Sequence, residues 1–325
     1  VRNQEQLFLA RVLLGMAECA YLPAAFAFIS DYHQDKTRAT AMGIHMVGLS
    51  FGMIAGATLA GYIGEHSGWR RSLLVLAIAG FIFAALAKIV LRDAESKRPA
   101  GPARGVLSMF QDFALLLRIP TFRYLLGSAM MVSLGVWIFL NWLPLYINEK
   151  YGMSLAAAGF SGTFAPQLAV VVGTLGGGVL SDRLARRHPE RRMVVGVFTY
   201  IIAAPFLLAF LATPGILAIN VCVFAYSSLR AVGTVNEPTI ACDLLPRPQR
   251  AAALGIANMA NCLAGGVGVM VAGFLKADYG LGGVFAGVSV IMLIAAGLLL
   301  AGYSLHYRRD RLRIAAAAEE GKVLI

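Results

Sequence analysis

Arg11 and Glu18 are the only charged residues between Leu7 and Ile29, and they stand seven positions apart. In a helix that spacing is two turns, so both side chains share one face. Ionisable groups in an apolar helix are costly unless they pair or line a cavity. A carboxylate there can exchange a proton, and a guanidinium can bias that exchange or bind an anion. A purely structural ion pair is the competing reading. Arg230 and Glu237 repeat the spacing, with Pro238 beside the acid, so gating competes with proton binding there. His45 brings an imidazole, a residue type that titrates near neutral pH, or else a packed hydrogen-bonding group. Asn141, Trp142 and Gln167 are polar positions in apolar runs, as are Asn258 and Asn261, which share a helical face. Such groups hydrogen-bond either a solute or a neighbouring helix. The sequence holds no HExxH, GxSxG or Walker A pattern and no metal-ligand spacing. An enzyme, a resident metal or cofactor, and an ATP-driven pump within this chain are therefore not expected. Cys19, Cys222, Cys242 and Cys262 fall in or at the ends of apolar runs with no CxxC pairing, and read as small packing residues.

These groups need a frame that holds them within a membrane. Hydrophobic residues make up 58% of the chain and charged residues 14%, with mean hydropathy +0.72, whereas a soluble domain is about one-quarter charged. Segments of about 20 apolar residues cross a bilayer as helices. Nine are expected: Leu7–Ile29, Thr40–Ile63, Ser72–Leu91, Phe122–Ile147, Ala156–Leu180, Met193–Leu211, Gly215–Thr239, Ala251–Phe274 and Val284–Tyr307. Twenty of the 28 Lys and Arg fall on one set of alternating loops, five on the other set and three within spans. Basic residues gather on cytoplasmic loops, which explains the net charge of +11 without a nucleic-acid partner. The expected orientation puts Val1 outside and the C-terminus in the cytoplasm.

Two stretches match without gaps at an offset of 212 residues. Asp31, Arg38, Gly43, Gly56, Gly61 and Gly68 align with Asp243, Arg250, Gly255, Gly268, Gly273 and Gly280, and RATAMGI aligns with RAAALGI. The second and eighth spans are thus expected to be equivalent members of two parallel bundles, with a solute site between them. By that register the second span is fifth of six. Three further helices are then expected before Leu7, and the nine alone are not expected to transport.

The string Gly178-Val179-Leu180-Ser181-Asp182-Arg183-Leu184-Ala185-Arg186-Arg187 resembles the G-x-L-x-D-R-x-G-R-R loop of the major facilitator superfamily, with Ala185 in place of a glycine. The stretch from Arg11 to Tyr21 is similar to the fourth-helix R-x-x-x-G-x-x-E pattern shared by anion:cation symporters and Spinster-like lipid transporters. The resemblance implies an all-α membrane protein with the major facilitator fold. It would comprise a partial amino-terminal bundle (1–91), a cytoplasmic linker (92–120), a complete six-helix bundle (121–313) and a cytoplasmic tail (314–325). It also implies a secondary active transporter of a small organic solute, an organic anion by first choice, working by alternating access with a proton as coupling ion. The expected setting is the bacterial inner membrane, as a monomer. A Spinster-like lipid or lysolipid transporter is the alternative, and a non-transporting receptor or scaffold is the alternative of another class. Candidate coupling or substrate residues are Arg11, Glu18, His45, Asn141, Trp142, Gln167, Arg230, Glu237, Asn258 and Asn261. Candidate cytoplasmic latches are Asp31, Arg38, Asp182, Arg183, Arg186, Arg187, Asp243 and Arg250, whose pairs would form in one state and break in the other.

Overall fold

The computed structural model describes residues 3–33, 35–91, 116–185, 188, 190–212, 215–245 and 247–319. These are helical throughout: α1 (Gln4–Tyr32), α2 (Asp35–Ser67), α3 (Trp69–Val90), α4 (Pro120–Tyr151), α5 (Leu155–Ala185), α6 (Arg191–Ala212), α7 (Ile216–Thr234), the short α8 (Glu237–Leu244), α9 (Arg247–Ala301), a π-helical turn (Gly302–Tyr307) and α10 (Arg308–Glu319). The end signals are local. Asn3 Oδ1 accepts from the Gln6 N–H and caps α1. Pro120 opens α4, where its missing N–H costs nothing. Pro144, Pro166 and Pro205 lie inside α4, α5 and α6, a placement that membrane helices tolerate.

Among the described residues, seven helical stretches are long and apolar enough to cross a membrane, the last of them Ala253–Ile314 at 62 residues. A straight helix of that length would run roughly 90 Å, three times the hydrocarbon core. The contacts of α4 show how α9 is folded. Ser133 Oγ donates to the Asn261 carbonyl and Trp142 Nε1 to the Val269 carbonyl, so numbers rise together along the first limb. Ser128 Oγ donates to the Ala295 carbonyl, while Phe139 and Tyr146 meet Phe285, so along the second limb they run in opposite senses. The limbs are antiparallel, and the break is Gly280, with φ 64° and ψ 169°. Gly68, its match at the 212-residue offset, has φ 84° and ψ 154° and breaks the helical path between α2 and α3 in the same way. Only glycine takes such a conformation at low cost.

One expected span end shifts. The last span does not stop at Tyr307 but continues through the π-helical turn into α10. Residues 92–115 of the expected linker lie outside the described residues, and Leu116, within its expected bounds, is buried in the core.

The core lies between α4, α6, α7 and the second limb of α9. Phe139, Tyr146, Phe210, Tyr226 and Phe285 form a continuous ring cluster, with centroids 4.9 to 5.8 Å apart. In contrast, Ser72 is the one buried residue among the described residues up to Leu91, and its Oγ donates to the Ala60 carbonyl to tie α3 to α2. The exposed apolar side chains of α2 and α3 suit contact with lipid.

A long-range tether closes the core. Asp310, 3% exposed, accepts from both the N–H (2.9 Å) and the Oγ1 (2.8 Å) of Thr121, 189 positions away. The α10 carboxylate thereby satisfies a free donor at the start of α4. Hydrogen bonds to a charged group contribute about 1.5–3 kcal/mol. Asp310→Ala is expected to destabilise the protein by about that amount, visible as a lowered unfolding midpoint of the detergent-solubilised protein. An unchanged midpoint would show the tether to be energetically idle.

Candidate functional site

A cavity of about 440 Å³ opens between α1 and α2, lined by Tyr21, His45, Gly48, Leu49, Gly52 and Met53. The α2 residues recur every three to four positions, so they form one helical stripe. His45 is half-buried, with ring centroids 5.7 Å from Tyr21 and 6.0 Å from Phe26. Its Nε2 is buried and has no partner among the described residues. A buried polar atom left unpaired costs about 1–3 kcal/mol, so it marks a place where water, an ion or a ligand group fits. Gly48 and Gly52 leave the wall open, since a Cβ on either would meet nothing within 4 Å.

The cavity adjoins the seam between α2 and α5. Met53, on its wall, accepts from Gln167 Nε2 at 3.2 Å. Farther along, Glu65 Oε2 accepts from the Leu155 N–H at 3.2 Å. The backbones approach so closely that a Cβ on Gly61 would strike the Leu155 carbonyl, and one on Gly159 the Ala57 carbonyl. Small residues permit this approach.

Of the ten candidate coupling or substrate residues, His45 lines this cavity and Gln167 bonds Met53 on its wall. Arg11 and Glu18 belong to α1, but their side chains lie outside the described residues. Arg230 and Glu237 do not share a helical face as their spacing suggested: α7 ends at Thr234, a turn follows, and Glu237 opens α8. The carboxylate accepts from Tyr200 Oη at 2.7 Å, and no Arg230–Glu237 ion pair forms among the described residues. Pro238 lacks an N–H and disfavours continued helix before it, which explains the break. Tyr200 is fully buried, and sequence reasoning missed it. The available signal was its hydroxyl, which needs a partner in an apolar span.

The remaining candidates are spread along α4 and α9. Asn141 Nδ2 donates to the Trp137 carbonyl of its own helix, and Trp142 Nε1 serves packing against Val269. Asn258 is exposed, whereas Asn261 Oδ1 is buried without a partner among the described residues. A second cavity, about 570 Å³, lies between α5 and α7, with Phe160, Phe164 and Phe224 on its walls. Its polar contact, Ser161 Oγ to Asn220 Oδ1 at 3.2 Å, joins two residues absent from the sequence candidates.

Among the latches, Asp182 accepts from Arg192 at 3.0 Å rather than from Arg183, which has no ion-pair partner among the described residues. Arg250 Nε donates to the Leu245 carbonyl and fastens the turn between α8 and α9. Arg186 and Arg187 lie outside the described residues, as do the side chains of Asp31, Arg38 and Asp243. Glu190 binds His188 at 3.0 Å and meets Arg311 at 3.5 Å. Its own backbone hydrogen bond, then His188 and Arg311, hold its carboxyl below the usual carboxylate range. The stabilisation it contributes is present above that range and fades as pH falls through its lowered pKa.

Membrane-length helices packed around a buried aromatic core, with solute-sized cavities beside a helical seam, define a multi-pass membrane protein of the transporter class. The sequence pattern of the Major Facilitator Superfamily matches residues 2–238, and the chain belongs to that family of transporters, not to an enzyme family. It is 27% identical over 321 residues to an "MFS-type efflux pump" of Mycolicibacterium smegmatis, a match covering 95% of this chain and 73% of the relative. It is 23% identical over 330 residues to the "Probable galactarate/D-glucarate transporter GarP" of Escherichia coli K12, covering 91% and 72%. Its fold resembles that of a bacterial homologue of the human lysosomal transporter Spinster, solved inward-facing and unoccupied. That likeness has a TM-score of 0.61 at 19% identity and covers 90% of this chain and 75% of the other.

Proposed function

We propose that the protein is a proton-coupled secondary transporter of a small organic anion of the sugar-acid type, working by alternating access. The observation that carries this reading is the cavity beside the α2–α5 seam, where His45 presents an unpartnered buried nitrogen and Met53 is bonded by Gln167. Glu18 precedes the cavity-lining Tyr21 by one turn of α1, and Arg11 precedes Glu18 by two. A carboxylate and a guanidinium on one membrane helix suit proton exchange and anion binding. The sugar-acid transporter among the relatives supports this substrate class.

In this reading α1–α3 form part of one bundle. The helices from α4 onward form a six-helix bundle, with the two limbs of α9 counted separately. Matched breaks at Gly68 and Gly280 support the repeat that relates them. The Lys and Arg asymmetry supports a cytoplasmic C-terminus, and the bacterial relatives support an inner-membrane setting. Spinster-like lysolipid transport is the second reading, favoured by the aromatic lining of the α5–α7 cavity.

Full-length protein in proteoliposomes, given radiolabelled D-glucarate or galactarate and an acid-outside pH gradient, is expected to accumulate substrate until a protonophore is added. Uptake of lysolipid alone would favour the second reading, and saturable binding without uptake would favour a receptor. His45→Leu is expected to weaken the apparent affinity for substrate about tenfold or more, as loss of a hydrogen bond to a charged partner implies. The unfolding midpoint should hold steady or rise, because an unpaired buried nitrogen is removed. Unchanged affinity would make His45 a packing residue.

A further inference from the structure

A third cavity, about 630 Å³, lies at the opposite end of the last helical limb, where α10 meets the loop before α6. Glu190, Tyr303, Tyr307, Arg308, Arg311 and Leu312 are on its wall. Its charges do not cancel. Glu190 is held ionised and already binds His188 and Arg311. The Arg308 guanidinium and the Tyr303 hydroxyl have no partner among the described residues. Two unpaired donors, one of them cationic, therefore border one cavity and leave it a surplus positive charge. Guanidinium suits phosphate because its planar fork donates two parallel hydrogen bonds. The cavity is also amphipathic. Leu312 on its wall is 64% exposed, and Leu305, off the wall but seven residues earlier on the same run of helix, is 63% exposed. A free anion gains nothing from those leucines, whereas an acyl chain below a phosphodiester would cover them.

We propose that this cavity is a binding site for an anionic phospholipid, with Arg308 and Tyr303 holding the headgroup phosphate and the leucines meeting the acyl chain. Basic pockets between membrane helices are known to select such headgroups. A zwitterionic lipid fits less well, because its ammonium would need Glu190, which is engaged by His188 and Arg311. The site is separate from the cavity at the α2–α5 seam and does not depend on which solute is carried.

The test uses delipidated full-length protein in detergent, titrated with phosphatidylglycerol, with phosphatidylcholine of the same chains, or with inorganic phosphate. Bound lipid is read by native mass spectrometry and stabilisation by thermal unfolding. Phosphatidylglycerol is expected to bind about fivefold more tightly than phosphatidylcholine, the effect of one basic residue near an anionic headgroup, and inorganic phosphate is expected to give no stabilisation. Arg308→Ala should erase the preference, Arg308→Lys should keep most of it, Tyr303→Phe should weaken both lipids alike, and Arg313→Ala, outside the cavity wall, should leave the preference intact. Equal binding of the two lipids, or an unchanged preference in Arg308→Ala, would overturn the proposal. So would stabilisation by inorganic phosphate equal to that by the lipid, which would make this a free-anion site. If Arg308→Ala fails to fold, Arg308→Gln, which keeps much of the side chain and loses the charge, carries the same decision.

Discussion

Glu18→Gln in the full-length protein is expected to abolish uphill, pH-driven accumulation while preserving substrate counterflow at equal pH. Glu18 sits one turn before Tyr21, which lines the cavity between α1 and α2. It lies 13 residues before Asp31, roughly 20 Å along the helix at 1.5 Å per residue, and so is remote from that end of the span. An acid at such depth is expensive and is retained where it does work. Glutamine keeps the shape and the hydrogen-bonding capacity of glutamic acid but cannot load and release a proton. The two assays therefore separate: counterflow needs only solute exchange, whereas accumulation needs the gradient to be coupled. Arg11→Ala should impair both if Arg11 also holds the anion. A Glu18→Gln protein that still concentrates substrate against a pH-driven gradient would place coupling elsewhere and leave Glu18 as a packing or ion-pair residue.

Gly159→Leu is expected to reduce transport tenfold or more, an order of magnitude in keeping with the several kcal/mol that overpacking a tight contact can cost. A Cβ at this position would stand 2.6 Å from the Ala57 carbonyl oxygen and 3.0 Å from its carbon. Backbone cannot rotate away as a flexible side chain can, so α2 and α5 must separate. Gly61→Leu meets the same obstacle at the Leu155 backbone. Membrane helices associate through close packing rather than through a hydrophobic force between them, so a lost contact along such a seam is not recovered elsewhere. Separation would also break the Gln167–Met53 contact at the cavity wall. Gly64→Ala is the control, because its Cβ meets nothing within 4 Å. Initial uptake rates, normalised to folded protein, decide the matter. Wild-type rates in Gly159→Leu would show that the seam is loose during transport.

How far the sequence reaches depends on the kind of interaction involved. A break between Phe274 and Val284 was readable from the span ends, and the match of Gly280 to Gly68 followed from a gapless repeat, but that both glycines take a left-handed backbone came from the structure. The seven-residue spacing of Arg230 and Glu237 misled, because the face argument assumes an unbroken helix and the turn before Pro238 interrupts it. Asp182 sits in a readable motif, but its partner is Arg192, across the turn into α6. Tyr200 and Asn220 escaped notice because a single tyrosine or asparagine in an apolar run is silent until its neighbour across the helix interface is known.

The sequence by itself determined that this is a helical membrane protein whose Lys and Arg gather on every second loop, and that it resembles the major facilitator superfamily. Those properties are one-dimensional. The bilayer sets the length of each apolar run, charge chooses the side, and a short loop motif needs no distant partner. Only the tertiary structure decided which polar groups meet. It put the His45 cavity beside Gln167, gave Glu237 to Tyr200, and brought Asp310 to Thr121 across 189 positions. A hydrogen bond depends on a separation of about 3 Å between atoms of different helices. That separation is set by the packing of small residues along helix seams, which no spacing within one helix encodes.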